Sequence, residues 1–169
     1  MPTVRPVLRT LVAAALCAAA ACREYVFEPE DPATVQYAPA LGVNLSAFTR
    51  LPSGVYVQDA AVGSGTVVTD SSTVTVSYRG TLAGGQPFDS TSPGQTRVFD
   101  LRATIPGWRS GLVGARAGGR RRLIIPPSQG YGNATRQGIP AGSVLYFVID
   151  ILSVTTPVTP PPATTSARP

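Results

Sequence analysis

The chain has 169 residues, enough for one domain with tails, and 43% of them are hydrophobic, which is enough for a buried core. It contains no histidine, and all fourteen of its basic residues are arginines. Histidine-dependent catalytic triads, imidazole metal sites, P-loops and Schiff-base chemistry are therefore excluded. The net charge of +5 is too small to indicate a nucleic-acid partner.

The first 22 residues are typical of an export signal. Arg5 and Arg9 precede an apolar run at 11–21 that is too short to span a bilayer as a helix. Cys22 directly follows four alanines, where a bacterial lipoprotein signal places its lipidated cysteine. We therefore expect export across the cytoplasmic membrane and a lipid anchor on Cys22 in the cell envelope. The alternative is a plain secretory signal without lipid.

The composition predicts a tail on each side of the ordered part. Residues 23–46 lack periodicity and carry an acidic cluster, so they predict a flexible tether. Residues 155–169 are rich in proline and threonine and predict an extended or disordered tail. The ordered domain is then expected at 47–154. Because no long dimerising helix fits before residue 47, we expect a monomer.

Strand signals dominate this domain. Short candidates lie at 55–57 and 66–68, and apolar residues alternate with polar ones over 73–78, as in a half-buried strand. Gly84 and Gly85 favour a hairpin turn before a strand at 86–90. Two long strands are expected at 120–125 and 144–154, the latter in the centre of the sheet because it is apolar on both faces up to Asp150. The arginines at 120–122 are expected to be solvated, with an anionic partner as the alternative.

One short helix is predicted, from about Pro106 to Gly114. Proline suits the first helical position, and Trp108 and Leu112, four residues apart, share one face. A mainly antiparallel sheet with one short helix packed on it is an α+β fold.

A series of short motifs identifies the chain by resemblance. In chain order they are Ser53-Gly-Val-Tyr56, Gly63-Ser-Gly65, Tyr78-Arg-Gly80, Gly84-Gly-Gln-Pro-Phe88-Asp89-Ser90, Phe99-Asp-Leu101, Ile105-Pro-Gly-Trp108, Tyr131-Gly132, Ile139-Pro140 and Phe147. Together, from about Ser53 to Val154, they resemble the FKBP-type peptidyl-prolyl cis-trans isomerases. The resemblance implies a curved antiparallel sheet wrapped around a short helix, with a substrate groove between them. It further implies proline-containing polypeptide substrates, macrolide binding, and neither cofactor nor metal.

The resemblance also implies roles for individual residues. Those it assigns to catalysis are Tyr78, Asp89, Ile105 and Tyr131. Those it assigns to substrate binding are Phe88, Phe99, Thr104, Trp108, Ile139 and Phe147. Trp108 corresponds to the floor of the site, the backbone N–H of Ile105 to a donor for a ligand carbonyl, and Ile139 to an apolar residue of a flap loop. Taken singly, most of these residues would be interpreted as core or turn residues.

Three departures from the family pattern leave alternatives open. Arg97 stands where several members have another pocket aromatic, Thr104 replaces a usual valine, and Pro140-Ala141 replaces a common Pro-Pro. Arg97 and Thr104 motivate a second hypothesis, a low-turnover peptide-binding or holdase module that uses the same pocket. A third hypothesis places the function in the tails of an envelope interaction protein.

Overall fold

A computed structural model describes residues 28–157 of the chain. The export signal, Cys22, the first residues of the expected tether and most of the C-terminal tail lie outside the described residues. Within them, seven β-strands form one antiparallel sheet around a single α-helix. The strands are β1 (Thr49–Arg50), β2 (Tyr56–Ala61), β3 (Thr73–Leu82), β4 (Pro87–Ser90), β5 (Arg97–Asp100), β6 (Arg120–Ile125) and β7 (Leu145–Thr155), and the helix is α1 (Pro106–Leu112). The expected α+β fold is confirmed.

The sheet has the spatial order β1-β2-β6-β7-β3-β4, and β5 pairs with the other half of the β3 edge. The edge of β3 is therefore shared, with β5 along residues 73–76 and β4 along residues 79–81. Register shifts in β3, between Thr75 and Val76 and between Gly80 and Thr81, mark the irregularities that bend such a sheet. The long apolar strand β7 lies in the interior of the sheet, as its two-sided hydrophobicity indicates.

Most of the predicted elements form. The strand predicted at 120–125 has those bounds, the one predicted at 144–154 runs one residue later, and a turn at Gly84–Gly85 joins β3 to β4. The candidate strand at 66–68 does not form; Val67 makes only an isolated bridge to Arg116 and remains 36% exposed. Three β-prone residues without a buried face are too few to hold a strand.

The core lies between α1 and one face of the sheet. Trp108 and Leu112 are buried there, together with inward side chains of β3, β6 and β7. The helix can approach the sheet closely because two glycines face it: a Cβ on Gly111 would lie 2.8 Å from Leu123, and one on Gly107 would collide with Ile125. The close packing of α1 on β6 fixes the distance between Trp108 and the sheet.

The arginine run at 120–122 does not behave as a single solvated group. Arg121 is only 8% exposed. Its guanidinium donates to both carboxylate oxygens of Asp59, at 2.7 and 2.8 Å, and to the carbonyls of Gly111 and Val113, each at 3.0 Å. Arg121 therefore binds the C-terminal end of α1 from the sheet, a role that suits a cation because helix carbonyls concentrate negative charge there.

The segment expected as a flexible tether is packed from residue 28 onward. Residues 28–48, here called the strap, lie against the outer face of the sheet, opposite α1. Apolar strap residues cover Ile124, Val144 and Tyr146; they are Val35, Tyr37, Leu41, Val43, Leu45 and Phe48. Two 3-10 turns, Pro39–Leu41 and Leu45–Ala47, bend the strap along this face. The ordered unit thus extends about twenty residues before the boundary expected at residue 47.

Candidate active site

A cavity of about 290 Å³ opens on the helix side of the sheet. Its lining residues are Tyr78, Phe88, Asp89, Phe99, Ala103, Thr104, Ile105, Trp108, Tyr131 and Phe147. The structure therefore brings together nine of the ten residues that the sequence assigned to catalysis or substrate binding. The tenth, Ile139, does not line the cavity; it is buried in the adjoining core, in a loop whose Gly138 lies against Phe88.

The walls of the cavity are aromatic rings packed edge to face. The Trp108 ring lies 5.3 Å from Tyr78, 5.1 Å from Phe99 and 5.3 Å from Phe147, measured between ring centroids. Phe88 extends the cluster, 5.4 Å from Phe147 at an interplanar angle of 87°. Edge-to-face pairs at these distances are mutually attractive, so the rings hold one another in place without a ligand. Trp108 and Phe147 are each only 4% exposed, so these two rings are largely shielded from solvent.

The glycine at position 80 makes room for the rings of Phe88 and Phe147. Gly80 lies in β3 beneath them, and a Cβ there would be 2.7 Å from the Phe88 ring and 2.8 Å from the Phe147 ring. Real Cβ atoms do not approach other atoms that closely, so only glycine permits this packing.

The polar side of the cavity is a hydrogen-bonded group of three residues. The Tyr78 hydroxyl donates to Asp89 Oδ2 at 2.5 Å, and Arg97 Nη1 donates to the Tyr78 oxygen at 2.8 Å. The same Arg97 nitrogen lies 3.3 Å from Asp89 Oδ1. Burial, together with the neighbouring Asp89 carboxylate, raises the pKa of Tyr78 to about 12. Tyr78 is therefore a neutral phenol at physiological pH, with its proton directed at Asp89.

Two donors at the cavity have no protein acceptor among residues 28–157. The backbone N–H of Ile105, just before α1, makes no hydrogen bond with the described residues, although the Ile105 carbonyl accepts from the Trp108 N–H. The Tyr131 hydroxyl likewise has no partner in the described part, while the Arg136 guanidinium lies 5.8 Å from the Tyr131 ring. Both donors border an apolar cavity and are available to a ligand carbonyl. Thr104 differs, because its hydroxyl donates to the Leu101 carbonyl at 2.7 Å and so stays in its own turn.

Sequence reasoning missed two residues of the site. Ala103 lines the cavity, but a lone alanine carries no signal. Arg97 was noted only as a departure from the family pattern, and its guanidinium donates to both Tyr78 and Asp89. The pairing of β5 with β3 could have indicated this, since it places Arg97 opposite Val76, two residues before Tyr78.

Other candidate sites are weaker. A larger groove of about 530 Å³ lies between the strap and the Pro126–Pro127 corner, but none of the predicted site residues lines it. Across residues 28–157, no cluster of three or more histidine, cysteine or acidic side chains is placed to hold a metal ion. No helix in that part of the chain is both long and apolar enough to cross a bilayer.

Fold and site together define a small α+β domain with one aromatic cavity and a polar rim. A family model described as FKBP-type peptidyl-prolyl cis-trans isomerase matches residues 65–152. FkpA of Escherichia coli K12, an isomerase of that type by its name, is 38% identical over 120 residues, which cover 70% of this chain and 43% of FkpA. This chain therefore belongs to the FKBP-type peptidyl-prolyl cis-trans isomerase family.

Solved structures and a second curated relative point to the same family. The crystal structure of E. coli FkpA matches with a TM-score of 0.63 at 35% identity, covering 70% of this chain and 55% of that one. A peptidyl-prolyl cis-trans isomerase from Pseudomonas syringae pv. tomato matches with a TM-score of 0.61 at 30% identity, covering 65% and 82%. FK506-binding protein 4 of Chaetomium thermophilum is 38% identical, covering 69% of this chain and 23% of that protein. The chain thus spans less than half the length of the curated relatives FkpA and FK506-binding protein 4.

Proposed function

We propose that this protein accelerates cis-trans rotation about X–Pro bonds in exported polypeptides. The observation that carries the proposal is the aromatic cavity beside unpartnered N–H and O–H donors. A peptide bond resists rotation by roughly 18–20 kcal/mol because resonance keeps it planar. X–Pro bonds populate both isomers and exchange slowly, so they are the bonds on which rotation limits folding.

The cavity stabilises the twisted amide without covalent chemistry. Twisting a peptide bond removes its resonance and lowers its charge separation, so the twisted form is less polar than either planar form. An aromatic cavity that excludes water favours that form relative to solution, which is differential binding of the transition state. Trp108, Phe88 and Phe147 supply the surface that holds the proline ring.

The polar groups fix one side of the rotating bond. The Ile105 N–H and the Tyr131 hydroxyl bind substrate carbonyls. The part of the peptide on one side of the X–Pro bond is then held still while the part on the other side rotates. Asp89 acts through Tyr78, whose phenol it orients, and Arg97 holds this pair in place. No step requires a cofactor.

The test is an isomerisation assay on short X–Pro peptides, with D89A and Y131F beside the wild type. Y131F loses one polar contact of the kind worth about 1.4 kcal/mol, and D89A removes the acceptor that Tyr78 and Arg97 share, so we expect kcat/KM to fall about tenfold or more. D150A is the matched control, because Asp150 is a carboxylate paired with Arg120 on the outer face. Wild-type rates in folded D89A and Y131F would show that the site assignment is wrong.

The second candidate is a low-turnover peptide-binding or holdase module that uses the same cavity. Arg97 favours it, because a charged group stands at the rim where other members place an aromatic. The fluorescence of Trp108, the one tryptophan of the chain, distinguishes the two functions. Peptide or macrolide binding that changes this fluorescence without any gain in isomerisation rate would favour the binding module.

We further propose that the protein is exported by residues 1–22, anchored by lipid on Cys22 and monomeric. The Pro/Thr-rich tail expected at 155–169 then begins at Thr155, the last residue of β7. The alanine run before Cys22 supports the lipid anchor. Membrane fractionation of wild type and C22A tests it. The anchored protein pellets with membranes and C22A does not, whereas equal solubility would favour a plain secretory signal.

A further inference from the structure

The loop between β6 and β7, here called the flap (residues 126–144), carries two of the assigned site residues, Tyr131 and Ile139. It is closed by its own hydrogen bonds. The Gly142 N–H donates to the Gly132 carbonyl at 2.8 Å at the base, and Arg136 and Ile139 exchange two hydrogen bonds of 2.9 Å at the tip. The placement of this closed loop, whose Gly138 lies against Phe88 at the cavity wall, therefore depends on how the base is held.

One strap residue holds that base at two points. The Glu30 N–H donates to the Gly142 carbonyl at 2.8 Å, and Glu30 Oε2 accepts from the Val144 N–H at 2.7 Å. Val144 has no exposed surface, so its N–H has no access to water. A buried amide without an acceptor is costly, and a carboxylate is a stronger acceptor than a neutral oxygen.

The strap presents Glu30 from a rigid turn. Asp31 accepts at its carbonyl from the N–H groups of Thr34 and Val35, and its carboxylate accepts from the Ala33 N–H. The Tyr37 hydroxyl donates to the carbonyl of the buried Pro32 at 2.9 Å. The turn that holds Glu30 is thus fixed by strap residues 31–37, which precede every residue of the aromatic cavity by about forty positions or more.

We propose that Glu30 is a positioning residue that latches the strap to the base of the flap and so sets the placement of Tyr131 and Ile139. The kinetic part of this inference rests on the proposed isomerase function, whereas the structural part does not. Without the latch the base of the flap opens more often. The cavity then loses the contacts that the flap contributes to substrate binding, while the aromatic walls remain.

The variant that tests this is E30A, with E28A as its matched control, because Glu28 is exposed and makes no hydrogen bond with residues 28–157. Amide hydrogen exchange followed by NMR measures directly how well the Glu30 carboxylate protects the Val144 N–H. In E30A we expect the Val144 amide to exchange about tenfold faster or more, while amides of β3 keep their protection. In the peptide assay KM rises about three- to tenfold and kcat changes by less than about twofold.

Unchanged exchange at Val144 in E30A overturns the proposal, whether or not the protein isomerises peptides. Faster exchange with unchanged KM, in an active protein, overturns the link to the flap. If E30A fails to fold, E30Q carries the test, because its neutral oxygen accepts the same hydrogen bond more weakly. Val144 exchange in E30Q must then lie above that of the wild type, and equality overturns the latch.

Discussion

Replacing Arg121 by alanine should destabilise the domain far more than replacing its neighbour Arg120. The Arg121 guanidinium makes hydrogen bonds to Asp59, Gly111 and Val113. The Gly111 carbonyl is buried, so leaving it unpaired costs about 1–3 kcal/mol. The Asp59 side chain is 39% exposed and can be rehydrated, which limits the contribution of its ion pair to below about 1 kcal/mol.

Adding the lost packing of the arginine stem, we expect R121A to lower the free energy of unfolding by about 3 kcal/mol. R121K should lower it by about 1–2 kcal/mol, because one ammonium cannot reach all the acceptors of a guanidinium. R120A should change it by less than about 1 kcal/mol, since the Arg120–Asp150 pair is exposed.

Urea unfolding followed by Trp108 fluorescence measures all three variants, because Trp108 lies on the helix that Arg121 holds. With an m-value of about 1.5–2 kcal/mol/M, R121A lowers the urea midpoint by about 1.5–2 M. Equal midpoints for R121A and R120A would refute the inference that the buried guanidinium anchors α1.

Three further predictions concern the cavity. G80A places a methyl group against the two phenylalanine rings over Gly80, and we expect peptide affinity, read from tryptophan fluorescence, to fall about fivefold or more. Because the pKa of Tyr78 is raised from 10.0 to about 12, its contribution to stability is complete below pH 10 and is lost as the pH rises towards 12. Between pH 10 and 12 the free energy of unfolding should fall less steeply with pH in Y78F than in the wild type. R97M removes the donor to Tyr78 and Asp89 and should lower kcat/KM about three- to tenfold.

Each of these predictions has a clear contrary result. Wild-type affinity in G80A would mean that the phenylalanine rings are free to move. Parallel pH profiles for wild type and Y78F would place the alkaline loss of stability on other tyrosines. Increased turnover in R97M would mean that the guanidinium obstructs the cavity instead of holding Asp89, and would support the low-turnover interpretation of the natural chain.

The elements that sequence patterns predicted are those with one face buried. Residues 73–78 alternate because one face of β3 is buried in the core and the other is only partly buried, and a period-two pattern of apolar and polar residues reflects that difference. β6 and β7 could be located because consecutive residues on both of their faces are apolar, which gives uninterrupted apolar runs. The candidate site was predictable for a different reason: its residues occur in family order, although each alone would be interpreted as core.

The parts that were not predicted have no periodic signal. The strap is neither helix nor strand for most of its length, so its apolar residues contact the sheet at irregular spacing. Arg121 was interpreted as solvated because arginines at a strand end usually are, and only the tertiary position of α1 shows that the guanidinium has acceptors inside. Both cases depend on contacts between segments distant in sequence, which local composition does not encode.

Because the strap is packed on the domain, only a short segment separates the described structure from the proposed lipid anchor on Cys22. Only six residue steps separate Cys22 from Glu28, where the described structure begins, and an extended chain covers at most about 20 Å in that distance. A domain of the size of residues 28–157 has a radius of gyration of about 14 Å. If Cys22 carries a lipid, the near side of the domain stays within about 20 Å of the bilayer, and the cavity within that distance plus one domain diameter. Such an isomerase would serve chains that emerge at or fold beside the membrane rather than those that diffuse away from it.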